Sequence, residues 1–202
     1  EEWKGKVAFP SPVTSSPGRA FLVASMDYFS QDDSGDAMSW WSDMIDNDAI
    51  ITTGWTEAYE THYTGGYGEY TEGYIGDAWM TVSYCHSPGV EAFYAENYTH
   101  STSLMLEHSH FHQVEYTGII NGAAQVTGAN LFIDYLLSSQ VNNNMPENNL
   151  MYSVLEGTDL PETNGYRHHA DVPSSTTTMT YEEIETNMDS WLEEWKAATQ
   201  QA

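Results

Sequence analysis

Hydrophobic positions along this chain switch between a spacing of two and a spacing of three to four, and the switches mark out its elements. Residues 4–9 read as a short strand, and a loop over 10–18 follows. Residues 18–29 form a helix whose apolar positions wrap most of its circumference, the mark of a buried helix. After a turn at 31–35, residues 36–46 give a second helix with Met38, Trp41, Met44 and Ile45 on one face. Residues 49–53 are a β-branched strand that turns at Gly54 into a further helix, with Thr56 placed as its N-cap. The alternation resumes at 77–84, predicts a strand, and gives way to a helix through 91–97. Strands are expected at 103–107 and 111–120, and a helix at 127–139 with Leu131, Tyr135 and Leu136 at helical spacing. Residues 142–149 read as a loop, 150–154 as extended chain, and 166–178 as irregular and polar. The last element is an amphipathic helix. Thr180 and Glu183 make its capping box, and Tyr181, Ile184, Met188, Trp191 and Trp195 its apolar stripe. Strands alternating with helices give an α/β class with a largely parallel sheet.

One junction recurs. The strand at 77–84 runs into Tyr84-Cys85-His86-Ser87-Pro88-Gly89, and the strand at 4–9 is followed by Thr14-Ser15-Ser16-Pro17-Gly18. Ser-Pro-Gly reads as a helix start, with Ser87 as N-cap and Pro88 in the first turn. A helix that starts where a parallel strand ends puts free backbone N–H groups at the carboxyl edge of the sheet, where open α/β sheets bind ligands. Two such junctions predict two helix N-termini facing one ligand, suited to an anion or a hydroxyl.

The 202 residues are enough for one large domain or two small ones. Lys and Arg total 5 against 30 Asp and Glu, a formal net charge of -25. That balance argues against nucleic acid and anionic membranes as partners. The acids are spread rather than blocked, as on the solvated surface of a protein adapted to high salt, where screening makes self-repulsion tolerable. With Cys85 as its single cysteine the chain has no disulfide framework. No apolar run reaches membrane-spanning length. The sequence does not begin with Met, and a preceding portion is expected.

The candidate chemistry is that of binding. Ser15 and Ser16 suit a phosphate or an alcohol, with Arg19 in the first turn as an aid, or they are ordinary caps. Tyr84, His86 and Ser87 carry the same two readings. Trp55, directly after a strand, either stacks on a flat or cationic ligand or covers the sheet end as a core residue. His108, His110 and His112 would share one face of a strand, and His168-His169 adds a pair. Imidazoles bind Zn²⁺ or Ni²⁺, although this spacing matches no closed structural site. No nucleophile elbow, phosphate-binding Gly-Lys loop or dinucleotide fingerprint is present, and no catalytic residue is assigned.

Read together, several segments resemble the thiamine-binding proteins of ABC importers, in the periplasmic-binding-protein class. They are Thr14–Gly18, Thr53–Tyr59, Ser83–Pro88, Phe111–Glu115, Leu150–Val154 and Ser190–Trp195. Their order and spacing match apart from an aromatic, Gly-rich insert at 63–76. The resemblance covers roughly the C-terminal two thirds of such a protein. It implies type II lobes with mixed, mostly parallel sheets flanked by helices, the N-terminal part of one lobe lying outside this chain. Residues 1–110 would form one ligand-binding lobe. Residues 111–202 would form a crossover strand, near Gln113–Tyr116, and the C-terminal part of the other.

It also implies a ligand set: Ser15 and Ser16 toward a phosphate or hydroxyethyl end, Trp55 as the ligand-contacting Trp, and Tyr84, Cys85, His86 and Ser87 on the family's Tyr-Thr-Thr-Ser stretch. Val90 and Leu150 stand where the family has aromatics that enclose the thiazolium. Each such wall contributes about 0.5–2 kcal/mol of cation–π attraction. The implied function is capture of thiamine or its phosphates without chemistry. A membrane permease would be the partner, the protein a monomer on the extracellular or periplasmic side, anchored through a lipid upstream. No metal and no cofactor are implied. Two alternatives stay open: another ligand in the same class (ferric ion, polyamine or other heterocycle), and a His-rich metal-binding or surface interaction protein.

Overall fold

The computed structural model describes residues 2–31, 35–65 and 75–201. Its centre is a small parallel sheet. Strand β1 (Val7–Pro10) lies between β2 (Ile50–Thr52) and β3 (Met80–Thr81). In register, Ala8 is opposite Ile50 and Thr81, so both neighbours run the same way as β1. The β1 strand is buried along its whole length, which is why Val7, Ala8 and Phe9 form a continuous apolar run instead of alternating.

Helix α1 (Ser16–Gln31) follows β1, and α2 (Ala37–Asp46) follows α1. Asp36 caps α2 by accepting from the Ser39 N–H at 2.9 Å. After β2 the chain enters a π-helix, Glu57–Tyr63, where Thr56 holds the N-cap position without a side-chain bond. Helix α3 (Ser87–Tyr94) follows β3. Helices α4 (Val126–Leu136), α5 (Ser139–Asn142), α6 (Met145–Asn149), α7 (Tyr166–His169) and α8 (Tyr181–Thr199) complete the chain.

The larger core cluster lies on one face of the sheet, and Ala8, Ala58 and Ala78 form a smaller one on the other. Val7, Phe9, Leu22, Val23, Trp41, Trp191 and Trp195 are buried in one cluster. Phe9, Phe21, Trp40 and Trp41 meet with ring centroids 5.0–6.1 Å apart, and Trp195 closes on Trp41 edge to face at 5.8 Å. Helix α8 therefore packs into the same core as α1 and α2, and α7 packs on α3. Asp27 of α1, almost wholly buried, accepts from the backbone N–H and hydroxyl of Thr178 at 2.9 and 2.8 Å, which fixes the approach to α8. The predicted capping box is present: the Glu183 N–H donates to the Thr180 hydroxyl, and the Glu183 carboxylate accepts from the Thr180 N–H.

Several expectations change. The strands expected at 103–107 and 111–120 do not form; no sheet strand pairs with either segment among the described residues. Alternation makes a strand only where a neighbour offers a ladder, and His108 interrupts the run with φ of 56°. The left-handed backbone at His108 therefore breaks the face that would have aligned three imidazoles. The strand expected over 77–84 shrinks to Met80–Thr81. The loop expected at 142–149 contains α6, and the irregular 166–178 stretch begins with α7. The turn at 31–35 and the insert at 63–76 fall largely outside the described residues.

Candidate functional site

All three strands end at the same edge of the sheet, and each leads directly into a helix. The strand order β2-β1-β3 reverses direction at β1. The chain leaves β1 toward the β2 side and returns to place β3 on the other. The loops after β1 and β3 consequently diverge at the carboxyl edge, the position where open parallel sheets form a crevice. Ser15 and Ser16 lie after β1; Tyr84, Cys85, His86 and Ser87 lie after β3; Trp55 lies after β2.

The two Ser-Pro-Gly junctions owe their glycines to close approach. A Cβ on Gly18 would lie 2.6 Å from the Ser11 carbonyl oxygen, and one on Gly89 would lie 2.8 Å from that of Tyr166. Neither position has room for a side chain, so α1 is drawn against the end of β1 and α3 against α7. Ser15 is buried and acts as a cap, its hydroxyl accepting from the Gly18 N–H at 3.4 Å. Ser16 is exposed at the helix start. Arg19 is turned to the chain itself: its Nε donates to the Pro12 carbonyl at 3.0 Å and its Nη2 to that of Val13 at 3.3 Å. The expected role of Arg19 toward a phosphate is thereby replaced by support of the 12–13 loop. At the second junction Ser87 is not the cap. His86 occupies that position and Ser87 opens the helix, so its hydroxyl is available to other partners.

Those partners form a line across the edge. The Trp55 indole N–H donates to the Ser83 hydroxyl at 2.9 Å, and the Ser83 and Ser87 hydroxyls are 2.7 Å apart. Trp55 meets Tyr84 edge to face at 5.7 Å; Tyr84 meets His86 at 5.7 Å; His86 meets Tyr152 at 5.0 Å. Four rings from three segments thus adjoin one another beside the α3 N-terminus, Trp55, Tyr84 and Tyr152 half-buried and His86 buried. The structure unites Trp55, Tyr84, His86 and Ser87, and adds Ser83 and Tyr152, which the residue-by-residue reading did not select. Tyr152 lay in a matched segment; its ring contact with His86 crosses 66 positions of sequence and has no local signal.

The electrostatics of the edge are those of neutral groups. Burial holds the His86 imidazole below its usual value, partly offset by a hydrogen bond to the Leu150 backbone. Burial raises the Tyr84 phenol, with the Glu115 carboxylate adding to the effect. The Cys85 thiol is raised by burial and by the Asp171 carboxylate, which makes it a poor nucleophile. Tyr152 is raised by burial and donates to the Asp171 carbonyl. Near neutral pH the surface offers aromatic faces, hydroxyls and helix N–H groups, with no cation among the described residues that form it.

Two surface hollows of about 300 and 310 Å³ lie elsewhere, around Phe111–Tyr116 and around Met105–Glu107 with Pro173–Ser175. Neither is lined by Trp55, Tyr84 or the helix N-termini. No group of three or more His, Cys, Asp or Glu side chains that could hold a metal ion occurs among the described residues. None of the described helices is long and apolar enough to cross a membrane.

The fold is that of an α/β domain with a small parallel sheet whose strands all end at one edge, flanked by helices. Comparison with known proteins bears out the resemblance seen in the sequence. The chain is similar to the thiamine-binding periplasmic protein of Escherichia coli K12, 25% identical over 198 residues, and to that of Salmonella typhimurium LT2, 24% identical over 195 residues. These alignments take in 98% and 96% of this chain but 54% of each relative. The chain thus spans about half the length of the curated relatives it matches. No family model matches the sequence, and no solved structure matches it.

Proposed function

We propose that this chain is the ligand-capturing part of a substrate-binding protein of an ABC importer, that it binds thiamine or a thiamine phosphate, and that it catalyses no reaction. The observation that carries this reading is the convergence of Trp55, Tyr84, His86 and Tyr152 beside the start of α3, at the switch point of a parallel sheet. Similarity along nearly all of this chain to about half of each of two proteins named for thiamine binding supports the ligand class. Trp55 and Tyr84 would face the rings of the ligand, with Tyr152 taking the part of the family aromatics replaced by Val90 and Leu150. Val90 is buried within α3, and Leu150 sits in a left-handed conformation beside His86, so neither supplies a flat wall. Ser16, Ser87 and Cys85 would line the polar end, with Ser15 setting the helix start.

The same reading makes the protein bilobal, of the type II kind, exported, and served by a membrane permease. Residues 1–110 would form the core of one lobe; because α8 packs into the core of α1 and α2 and α7 packs on α3, these two helices would join it, in place of the expected assignment of all of 111–202 to the crossover and the other lobe. The residues from 116 onward to about 160 would belong to the other. Tyr116, Ile120, Leu131, Phe132 and Leu137 are all more than half exposed. In a chain with 30 acidic residues, the stretch from Tyr116 to Pro146 carries a single charge, Asp134. Such a surface fits cover by further polypeptide of the second lobe, of the kind found in the half of the relatives that this chain does not match. Ligand would then stabilise the closed arrangement by its greater affinity for it.

The test is tryptophan fluorescence during titration with thiamine and thiamine monophosphate in molar KCl, on the protein and on Trp55→Ala. Saturable quenching by either compound, lost in Trp55→Ala, is the expected result. A folded protein that responds to neither compound would sink the ligand assignment.

A further inference from the structure

Behind the aromatic edge lies a carboxylate that the binding reading does not use. Glu91, on α3, is 1% exposed, although acidic side chains are seldom buried so completely. No cation pairs with it among the described residues. Its oxygens instead accept from hydroxyls: Tyr59, Thr99 at 2.7 Å, and Ser101 at 2.7 and 2.8 Å. Ser101 in turn accepts from Tyr63 at 2.9 Å. One carboxylate therefore gathers the π-helix, the 99–101 segment and α3. The ring of the Tyr59 whose hydroxyl it holds lies flat on Trp55, with centroids 5.1 Å apart and planes 12° apart. The opposite constraint comes from the Trp55 N–H bond to Ser83, which leads back to Ser87 on the same helix as Glu91.

We propose that Glu91 is a positioning residue for ligand recognition, acting through Tyr59 to fix the plane of Trp55. This rests on the reading of Trp55 as a ligand-facing ring. A stacked indole is held in tilt by its neighbour and in rotation by its N–H bond. Releasing the Tyr59 hydroxyl frees the tilt while leaving the rotation in place. Three hydroxyls from two segments, Tyr59 of the π-helix and Thr99 and Ser101, donate to Glu91, so the site calls for a group that only accepts. A carboxamide at this position turns one donor toward another donor, and at least one of the hydroxyls must reorient.

The variants are Glu91→Gln, Tyr59→Phe and the pair together, each also made with Trp55→Phe. Two quantities are read in molar KCl well below the unfolding temperature. The first is the near-ultraviolet dichroism of Trp55, taken as the difference between each background and its Trp55→Phe partner. The second is the Kd for thiamine. Glu91→Gln should change the Trp55 difference spectrum and weaken thiamine binding about five-fold or more, and Tyr59→Phe should do the same. The double variant should be no worse than either single one, because both break one linkage. If Glu91→Gln lowers the unfolding temperature but leaves the Trp55 spectrum and Kd as they were, the carboxylate is structural only and the proposal is wrong. Additive effects of the two changes would overturn it equally, since Glu91 would then act by a route other than Tyr59. Where Glu91→Gln does not fold, Tyr59→Phe, which keeps the ring and its packing, decides by the same two readings. The dichroism needs no ligand, so an unresponsive wild type would count against thiamine while the Trp55 spectra still judge Glu91.

Discussion

Replacing Trp195 tests whether α8 belongs to the same cooperative unit as the first fifty residues. Its side chain is wholly buried and closes edge to face on Trp41, so truncation opens a cavity at the centre of the aromatic cluster. Trp→Ala in a core costs about 3–5 kcal/mol, and the aromatic pair adds about 0.5–1.5 kcal/mol to what area alone removes. Loss of the indole N–H, unpaired among the described residues, returns about 1–3 kcal/mol of this, so Trp195→Ala should lower stability by about 3 kcal/mol. Trp195→Phe should behave differently. The indole N–H of Trp195 is buried with no acceptor among the described residues. An unsatisfied buried donor carries a penalty of about 1–3 kcal/mol, which phenylalanine abolishes. The smaller ring gives up a comparable amount of packing, so Trp195→Phe should stay within about 1.5 kcal/mol of the wild type. Urea unfolding in molar KCl, followed by far-ultraviolet dichroism so that loss of a tryptophan does not affect the signal, measures both. With a slope of about 2 kcal/mol per molar, the alanine variant should shift its midpoint by about 1.5 M. A shift below about 0.5 M, or a separate early transition for helix loss, would show that α8 is attached to this core and not part of it.

Two further predictions follow from the exposed helix and the buried histidine. Leu131→Asp with Phe132→Asp should alter urea stability by no more than about 0.5 kcal/mol, since both side chains are more than half exposed, yet reduce self-association and dye binding of the isolated 202-residue chain; a large destabilisation would mean these residues are core. Burial holds the His86 pKa below its ordinary 6.5, so between the two values the unfolded chain binds a proton that the native chain does not, and stability should fall as pH drops through that window; urea midpoints across about pH 7 to 5 should show this slope flattened in His86→Gln, and an unchanged slope would exclude His86 as its source.

Elements whose signals are local were legible in the sequence. The capping box of Thr180 and Glu183 needs four residues of chain, and α8 begins where it says. The stripe of Trp191 and Trp195 identifies a buried face, although not the partner, Trp41, that it meets. Strand prediction at 103–107 and 111–120 failed because alternation is a property of one segment and a ladder is a property of two. Ser87 was misplaced by one position for a similar reason. Its hydroxyl has a competing partner, Ser83, four residues back, and the backbone of His86 takes the cap position without using its ring. Of the site, Trp55, Tyr84, His86 and Ser87 were within reach because each sits at a strand end. Tyr59, Glu91 and Tyr152 were not, since their parts depend on contacts across 32 and 66 positions.

The proposed ligand, which can carry a phosphate, must still be reconciled with a chain of net charge -25. The global field opposes an anion, but it acts over distance and is screened. At molar ionic strength the screening length is about 3 Å, so acids scattered over the surface contribute little at the sheet edge. What acts at contact range there is local. The N–H groups at the starts of α1 and α3 present the positive ends of two helices, and their contribution falls off within a turn. The aromatic surface of Trp55 and Tyr84 attracts a cationic ring through its quadrupole, and the burial that keeps Tyr84 and His86 uncharged leaves no fixed positive charge to oppose it. A zwitterionic ligand, cationic at its ring and anionic at its ester, can therefore be held by two short-range contacts of opposite sense. Lysine and arginine, almost absent from this chain, are not required for either.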